Sequence, residues 1–273
     1  MSNSIQTDIS AMNAARNIKI HQNNIQSNME KLSSGYKINS AADDAAGLAI
    51  SEKLKGELTG LEQAQLNVQD TVSLLQTAEG GMGTLHNMLN RMVELSTKAA
   101  NGTYDTDVDR QAIQDEVTSL MKEINRITVS TNFNGTTLLN GKMENLQLQV
   151  GAEATDILTV SCAALNTTGL KISKVNVTSV KSANAAIKTI KDAINIVSTE
   201  RAKLGAVQNR LEYTINNLDT TAENMTSANS RIRDTDMAKE MMNYTKMNVL
   251  TQAAQAMLAQ ANQQPQSVLQ LLQ

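Results

Sequence analysis

The stretch that decides the fold runs from Ile187 to Ile232: IKTIKDAINIVSTERAKLGAVQNRLEYTINNLDTTAENMTSANSRI. Its apolar positions step by three and four: Ile187, Ile190, Ile194, Val197, Leu204, Leu211, Ile215, Leu218, Ala222, Met225 and Ile232. That is a heptad seam, sustained well beyond the three or four repeats that mark a coiled coil. At a rise of 1.5 Å per residue it makes a rod of roughly 70 Å, longer than a small globular domain is wide. Such a helix needs partner helices along its length. Leu54, Leu58, Leu61, Val68, Val72 and Leu75 supply a matching seam in the N-terminal third. The expected class is therefore mainly α: an elongated antiparallel coiled-coil bundle of the first and last thirds, with a small β-hairpin region at the tip.

Composition agrees with thin aliphatic seams. The 273 residues include no Trp, one Phe (Phe133) and four Tyr, which suits helical bundles better than sandwiches or barrels. A single proline, Pro265, leaves the long helices unbroken. A net charge of −3 and the lack of a basic run give no reason to expect nucleic acid. No apolar run is long enough to span a membrane, and the N-terminus has neither an h-region nor a cleavage signal. The expectation is a cytoplasmic chain, or one exported without a cleaved signal. The lone Cys162 excludes an internal disulfide and reads as a buried strand residue.

Both ends carry weaker stripes. Over residues 1–34, Ala11, Ala15, Ile18, Ile25, Met29 and Leu32 share a stripe interrupted by Gln22. Near the C-terminus, Met247, Leu250, Ala254, Met257, Ala261, Val268 and Leu271 form another, with Gln264 on it. Stripes so rich in Ala, Met and Gln do not hold a helix in isolation. Both ends are expected to be mobile in the free chain, and ordered against one another and against neighbouring copies.

Between residues 33 and 47, Ser33-Ser34-Gly35 closes the first helix and Asn39 to Asp44 leads into the next, with Asp43-Asp44 read as caps. A long helix follows to about Ala100. Its Gly80-Gly81-x-Gly83 cluster marks either a kink or a close contact. It does not fit a phosphate loop, lacking a preceding strand and a following Lys-Ser/Thr. Asn101-Gly102 ends that helix, Asp105 to Asp109 offer capping oxygens, and Ile113, Val117, Leu120, Ile124 and Ile127 carry a third seam. Asn134-Gly135 and Asn140-Gly141 are turn signals. Leu146 to Val150 and Ile157 to Cys162 then read as a hairpin. The return helix starts near Ser182, and a second connector lies at about 229–240. The domains expected are residues 1–45 with 230–273 as terminal helices, and 46–229 as a rod-like body with its hairpin tip at about 131–180.

Nothing rises to an active site, and no cofactor or metal is expected. His21 and His86 lack ligands at metal-binding spacing, and no G-x-S-x-G or H-E-x-x-H motif occurs. Polar residues on the long seam stand out more. Arg201, Gln208 and Asn229 either fix register and partner number or sit at a stripe edge facing solvent.

Three stretches carry a family resemblance. LSSGYKINSAADDAAGLAI (Leu32 to Ile50) resembles the N-terminal signature of the bacterial flagellins. LGAVQNRL (Leu204 to Leu211) with TSANSRIRDTD (Thr226 to Asp236), and LAQANQQPQSVLQLL (Leu258 to Leu272), resemble the C-terminal one. The resemblance implies a self-assembling filament subunit, exported unfolded through the flagellar secretion channel and located in the extracellular filament. It implies a homopolymer, the export apparatus, an export chaperone on the C-terminal helix, and the filament cap and hook-junction proteins as partners. Residues 141–180 leave no room for an outer domain, so a minimal flagellin is expected. The polymerisation residues implied are Ile18, Ile25, Met29, Leu32, Leu250, Met257, Leu258, Val268 and Leu271. The resemblance also implies contact with the toll-like flagellin receptor through Arg91, Glu94, Leu95 and Glu116. The chain departs from strongly recognised members at Val93, often Arg there. The same residues equally suit packing between subunits. A hook–filament junction protein is the alternative, and it rarely shares the full Leu258 to Leu272 ending.

Overall fold

The structure is a computed structural model that describes residues 9–105 and 108–271, with side chains as far as residue 263. Its elements are α1 (Ile9–Ser34), α2 (Ala45–Ala99), α3 (Asp109–Ser130), β1 (Asn132–Phe133), β2 (Thr136–Thr137), β3 (Leu146–Gln149), β4 (Ile157–Val160), α4 (Val180–Arg233) and α5 (Met237–Leu271). The chain is mainly α, as its periodicity predicts. The contacts divide it into two compact units, residues 1–56 with 224–273, and residues 57–223. This division falls inside α2 and α4 rather than at the connectors near residues 45 and 230.

In the 57–223 unit, α2 keeps a strict three-four step of buried positions: Leu61, Ala64, Val68, Thr71, Leu75, Ala78, Met82, Leu85, Leu89, Met92, Ser96 and Ala99. The two hydroxyls on this line bond back to their own helix, Thr71 to the Asn67 carbonyl at 2.8 Å and Ser96 to that of Met92 at 2.7 Å. Gln65 donates to Asp219 at 2.7 Å and Arg201 to Glu79 at 3.1 Å, so α4 runs antiparallel to α2. On α4 the buried line is Ala183, Ala186, Ile190, Ala193, Val197, Glu200, Leu204, Leu211 and Leu218. Ile187, Ile194 and Ile215, expected at the centre of the seam, are half-buried on its flank. Smaller Ala residues take the centre because they let the helices approach more closely.

Gly81 decides between the two readings of the glycine cluster. A Cβ there would lie 2.8 Å from Leu139 Cδ1 and 2.9 Å from Thr131 Oγ1, so the glycine permits a close contact. The helix runs through it unbroken. Helix α3 adds Ile113, Val117, Ile124 and Thr128 to the core. Its start differs from expectation. Val108 is the N-cap and makes no side-chain cap, while the Asp109 carboxylate accepts from the loop amide of Asp105 at 3.2 Å. The buried Arg110 instead closes the end of α2, donating to the carbonyls of Ala99 and Asn101, both at 3.0 Å.

The hairpin region is present and better defined than a tip. β1 and β2 pair around Asn134-Gly135, both at positive φ (48° and 82°), the signature of a type I′ turn. β3 and β4 pair antiparallel, with Leu146 opposite Val160 and Leu148 opposite Leu158. A Cβ on Gly60 would lie 3.1 Å from Ala152 Cβ, so the β3–β4 turn rests against α2 some way from the Gly81 level where Leu139 packs. The region thus lies along α2.

Residues 161–179 form no helix or strand, yet bury Cys162, Leu165, Leu170, Ile172, Val175 and Val177. Buried irregular backbone needs hydrogen-bond partners, and long polar side chains provide them. Asn125 Oδ1 accepts from the Thr167 amide at 3.0 Å, Gln114 Oε1 from Val177 at 2.7 Å, and Glu200 Oε2 from Ala163 at 3.3 Å. Lys203 Nζ donates to the other oxygen of Glu200 at 2.6 Å. Burial, with the Glu200 charge nearby, pushes the Cys162 thiol up to about 12, so it stays protonated and inert.

In the other unit, α1 and α5 pack against each other. Half-buried positions on α1 step through Ala11, Ala14, Ile18, His21, Ile25, Asn28 and Leu32. Those on α5 step through Glu240, Tyr244, Met247, Ala254, Leu258 and Ala261, with Thr251 buried among them. The seam of each helix is shifted by one position from part of its expected stripe. Ala15, Gln22 and Met29 on α1, and Leu250 and Met257 on α5, are exposed.

Candidate functional site

The first candidate surface grows out of that shift. The α1–α5 seam is poor in apolar bulk and carries polar groups. Turned to satisfy its neighbours, the Asn28 amide donates to Glu240 Oε1 at 2.9 Å, while His21 Nδ1 is buried with no hydrogen-bond partner. Larger apolar side chains are turned away from it. Met12, Ile20 and Met29 on α1 are exposed, as are Met241, Met242, Val249, Leu250 and Met257 on α5. Each helix therefore has apolar residues on two faces, one used within the chain and one open. Of the expected polymerisation residues, Ile18, Ile25, Leu32 and Leu258 are half-buried within the pair, and Met29, Leu250 and Met257 face outward. Val268 and Leu271 belong to the stretch whose side chains lie outside the described residues.

The two connectors of this unit are clipped together. Lys37 N donates to the Arg233 carbonyl at 2.8 Å and Thr235 N to that of Gly35 at 2.9 Å, around a Tyr36–Asp234 bridge. The Arg233 guanidinium lies 4.7 Å from the Tyr36 ring centre and donates to Glu52 Oε1 at 2.7 Å. Lys37 Nζ reaches the Arg231 carbonyl at 2.8 Å. Gly35, at φ 77°, makes the left-handed turn that ends α1. Asp43 accepts from the amides of Ser40 (2.9 Å) and Asn39 (3.1 Å), and these bonds hold its carboxyl below the ordinary value. Asp44 caps α2 through the Gly47 amide at 2.9 Å. Asp236 does the same for α5 through Ala238 and Lys239, at 3.0 and 3.1 Å. The stretches of residues 32–50 and 226–236 thus supply the parts of one clip. Asn229, expected as a polar seam residue, accepts from the buried Ser51 at 2.7 Å.

A second candidate surface lies between α2 and α3. Arg91 donates to Glu116 at 2.9 Å and to Glu94 at 2.8 Å, with all three side chains partly exposed. A cavity of ≈ 300 Å³ adjoins them, flanked by Lys98, whose Nζ lies 5.5 Å from the Tyr104 ring centre. The structure thus brings Arg91, Glu94 and Glu116 together from two helices. It does not present Leu95 as a partner anchor. That side chain is 3% exposed, because it continues the α2 core beside Met92 and Ser96.

Sequence reasoning passed over Glu200 and Arg110. The signal for either would have been a charge standing at a heptad core position or just after a helix end. Among the described residues, no group of three or more His, Cys, Asp or Glu could hold a metal ion. No described helix is long and apolar enough to cross a membrane.

Comparison with known proteins agrees with this geometry. A family model of the bacterial flagellin N-terminal helical region matches residues 5–144, and one of the C-terminal helical region matches residues 187–272. A flagellin of Bacillus subtilis (strain 168) is 48% identical, the match covering 98% of this chain and 99% of that protein. A flagellar filament 33 kDa core protein of Treponema phagedenis is 44% identical with the same coverage. Among solved structures, a Bacillus cereus flagellin matches with a TM-score of 0.51 and 33% identity, covering 60% of this chain and 94% of that one. A structure titled as a putative flagellar hook-associated protein from Vibrio parahaemolyticus matches at 0.59 and 15% identity, over 70% of this chain and 100% of that one, and so shares the fold alone. Family models that match both ends of the chain, and relatives matched over nearly their whole length, establish that the chain belongs to the bacterial flagellin family.

Proposed function

We propose that this flagellin polymerises through the open faces of α1 and α5, and that these helices form the inner layer of its filament. The observation that carries the reading is the set of exposed apolar side chains on the terminal helices, outside a seam that is itself only half-buried. A monomer seldom leaves so much apolar side chain in water unless a partner covers it. In a family of filament proteins that partner is another copy. A terminal pair too weak to be rigid alone also suits export as an unfolded chain, with a chaperone on the C-terminal helix and assembly beneath the filament cap, next to the hook-junction proteins. Deleting residues 1–34 or 241–273 should leave a folded body that adds to no seed in electron micrographs. Normal filaments from either truncation would refute the reading.

The Arg91 cluster supports a second role, contact with the toll-like flagellin receptor. Arg91 is held by Glu94 and Glu116 so that its guanidinium plane is fixed at a partly exposed cleft, which suits a planar, directional partner. The contact rests on Arg91, Glu94 and Glu116, and Leu95 acts only by supporting α2. The Arg91→Ala, Glu116→Ala double variant should bind the receptor more weakly by about 1–3 kcal/mol in a titration, with monomer folding nearly unchanged. Equal affinity would reduce the cluster to packing surface.

A further inference from the structure

The sulfur of this chain is unevenly placed. Of its 14 methionines, the exposed ones among the described residues are Met12 and Met29 on α1 and Met237, Met241, Met242 and Met257 on α5. In the 57–223 unit the pattern reverses: Met82, Met92 and Met143 are buried, and Met88 and Met121 half-buried. Exposures of 50–66% at Met12, Met29, Met241, Met242 and Met257 leave each thioether open to small reagents. Among the described residues Met237, at 47%, is the next most exposed methionine, and the Cys162 thiol, at 2%, is shielded. None of these five lies on the α1–α5 seam, where Met247 is the half-buried methionine.

We propose that Met12, Met29, Met241, Met242 and Met257 form an oxidation-sensitive site that controls assembly. A peroxide or hypohalous acid oxidises them in the free subunit, which then cannot join the filament. The inference rests on the assembly reading above. With hydrogen peroxide, a sulfur lone pair attacks one peroxide oxygen, an S–O bond forms and the O–O bond breaks. The departing hydroxide takes the proton of the new S–OH group and leaves as water, and the sulfoxide remains. Sulfur loses two electrons and the peroxide oxygens gain them. The product sulfoxide is a strong dipole and acceptor on a formerly apolar side chain, and burying it between subunits without a donor is unfavourable. Within the free chain it stays in water, so the α1–α5 pair and the body keep their structure. Subunits already assembled have these faces covered, and are protected. Oxidation therefore acts on subunits before assembly and spares finished filament.

The test treats the full-length monomer with graded hydrogen peroxide, followed by peptide mass spectrometry, circular dichroism and seeded polymerisation. The five methionines should gain oxygen well before Met82, Met92 and Met143, with helix content unchanged. The critical concentration should rise at least about tenfold, and methionine sulfoxide reductases should restore it. Preformed filaments given the same dose should keep the five reduced. With each variant compared against its own untreated form, one with all five changed to Leu should lose no assembly on peroxide treatment, and Met242→Gln with Met257→Gln should reproduce the block without oxidant. Undiminished assembly of protein oxidised at these positions would overturn the switch alone, as would an equal loss in the Leu variant. Untreated wild type that never polymerises would overturn the assembly reading and the switch with it.

Discussion

The unit of residues 57–223 and the α1–α5 pair use the same seven-residue step with opposite results. Along α2 every core position from Leu61 to Ala99 is buried, whereas α1 has no fully buried residue and α5 shows Thr251 alone among its described side chains. Two features separate them. Leu, Val and Met dominate the α2 line, while Ala, His, Asn, Tyr and Thr enter the terminal seam. The α2 line is also flanked by α3 and α4 and, at Gly81, by Leu139 and Thr131, whereas two helices cannot by themselves remove a stripe from water. A heptad period therefore announces that a helix will be partnered. It does not say whether the partners come from the same chain.

The sharpest way to break this comparison is to make the same kind of truncation in both places. Leu85→Ala, in a site with 0% exposure, should destabilise the body by about 2–5 kcal/mol in urea denaturation. Ile25→Ala, in the half-buried terminal seam, should cost about 1–2 kcal/mol, confined to α1 and α5 in hydrogen exchange. Equal costs would mean that the terminal pair is a core in its own right. Wild-type amides should likewise exchange faster in the described parts of α1 and α5 than in Ile187–Leu218.

Two acidic residues facing opposite ways sharpen the contrast within the body. Glu200→Ala leaves the Ala163 amide without its acceptor and should cost about 1–3 kcal/mol by thermal or chemical melting. Glu79→Ala removes a half-exposed pair with Arg201 and should cost about 0.2–1 kcal/mol. The smallest effect concerns the clip. The Asp43 carboxyl lies below its ordinary 3.8, so its contribution is complete above that pH and fades as the pH falls through its lowered value. Asp43→Ala should therefore loosen residues 39–44 at pH 7, read as faster exchange of the Ser40 amide. Wild type and variant should converge in strong acid. A difference that grew on acidification would contradict the sign.

Much of the fold was legible because its signals are local. Period, turn residues and caps act within a few residues, so the ends of α1, α2 and α4, the Asn134-Gly135 turn and the capping role of Asp44 follow directly from the chain. The charged cluster was partly legible, since Arg91 and Glu94 are one helical turn apart and the Asn101-Gly102 turn returns Glu116 beside them. The burial of Leu95 was not legible, because adjacency on a helix surface does not reveal where the core begins. Neighbouring positions on a helix are about 100° apart, and only the partner decides which flank is desolvated.

By itself, the amino-acid sequence determined a helical chain with paired ends, a hairpin region and the flagellin signatures. Tertiary structure alone decided the phase of each seam, turning Thr251 and Leu258 inward and Leu250 and Met257 outward. It also decided that Glu200, rather than its neighbour Arg201, stands in the core. The reason is the same in each case: a weak stripe or a long polar side chain is placed by whichever surface or unpaired amide it meets. Those partners lie far away in the chain, or in another copy of it.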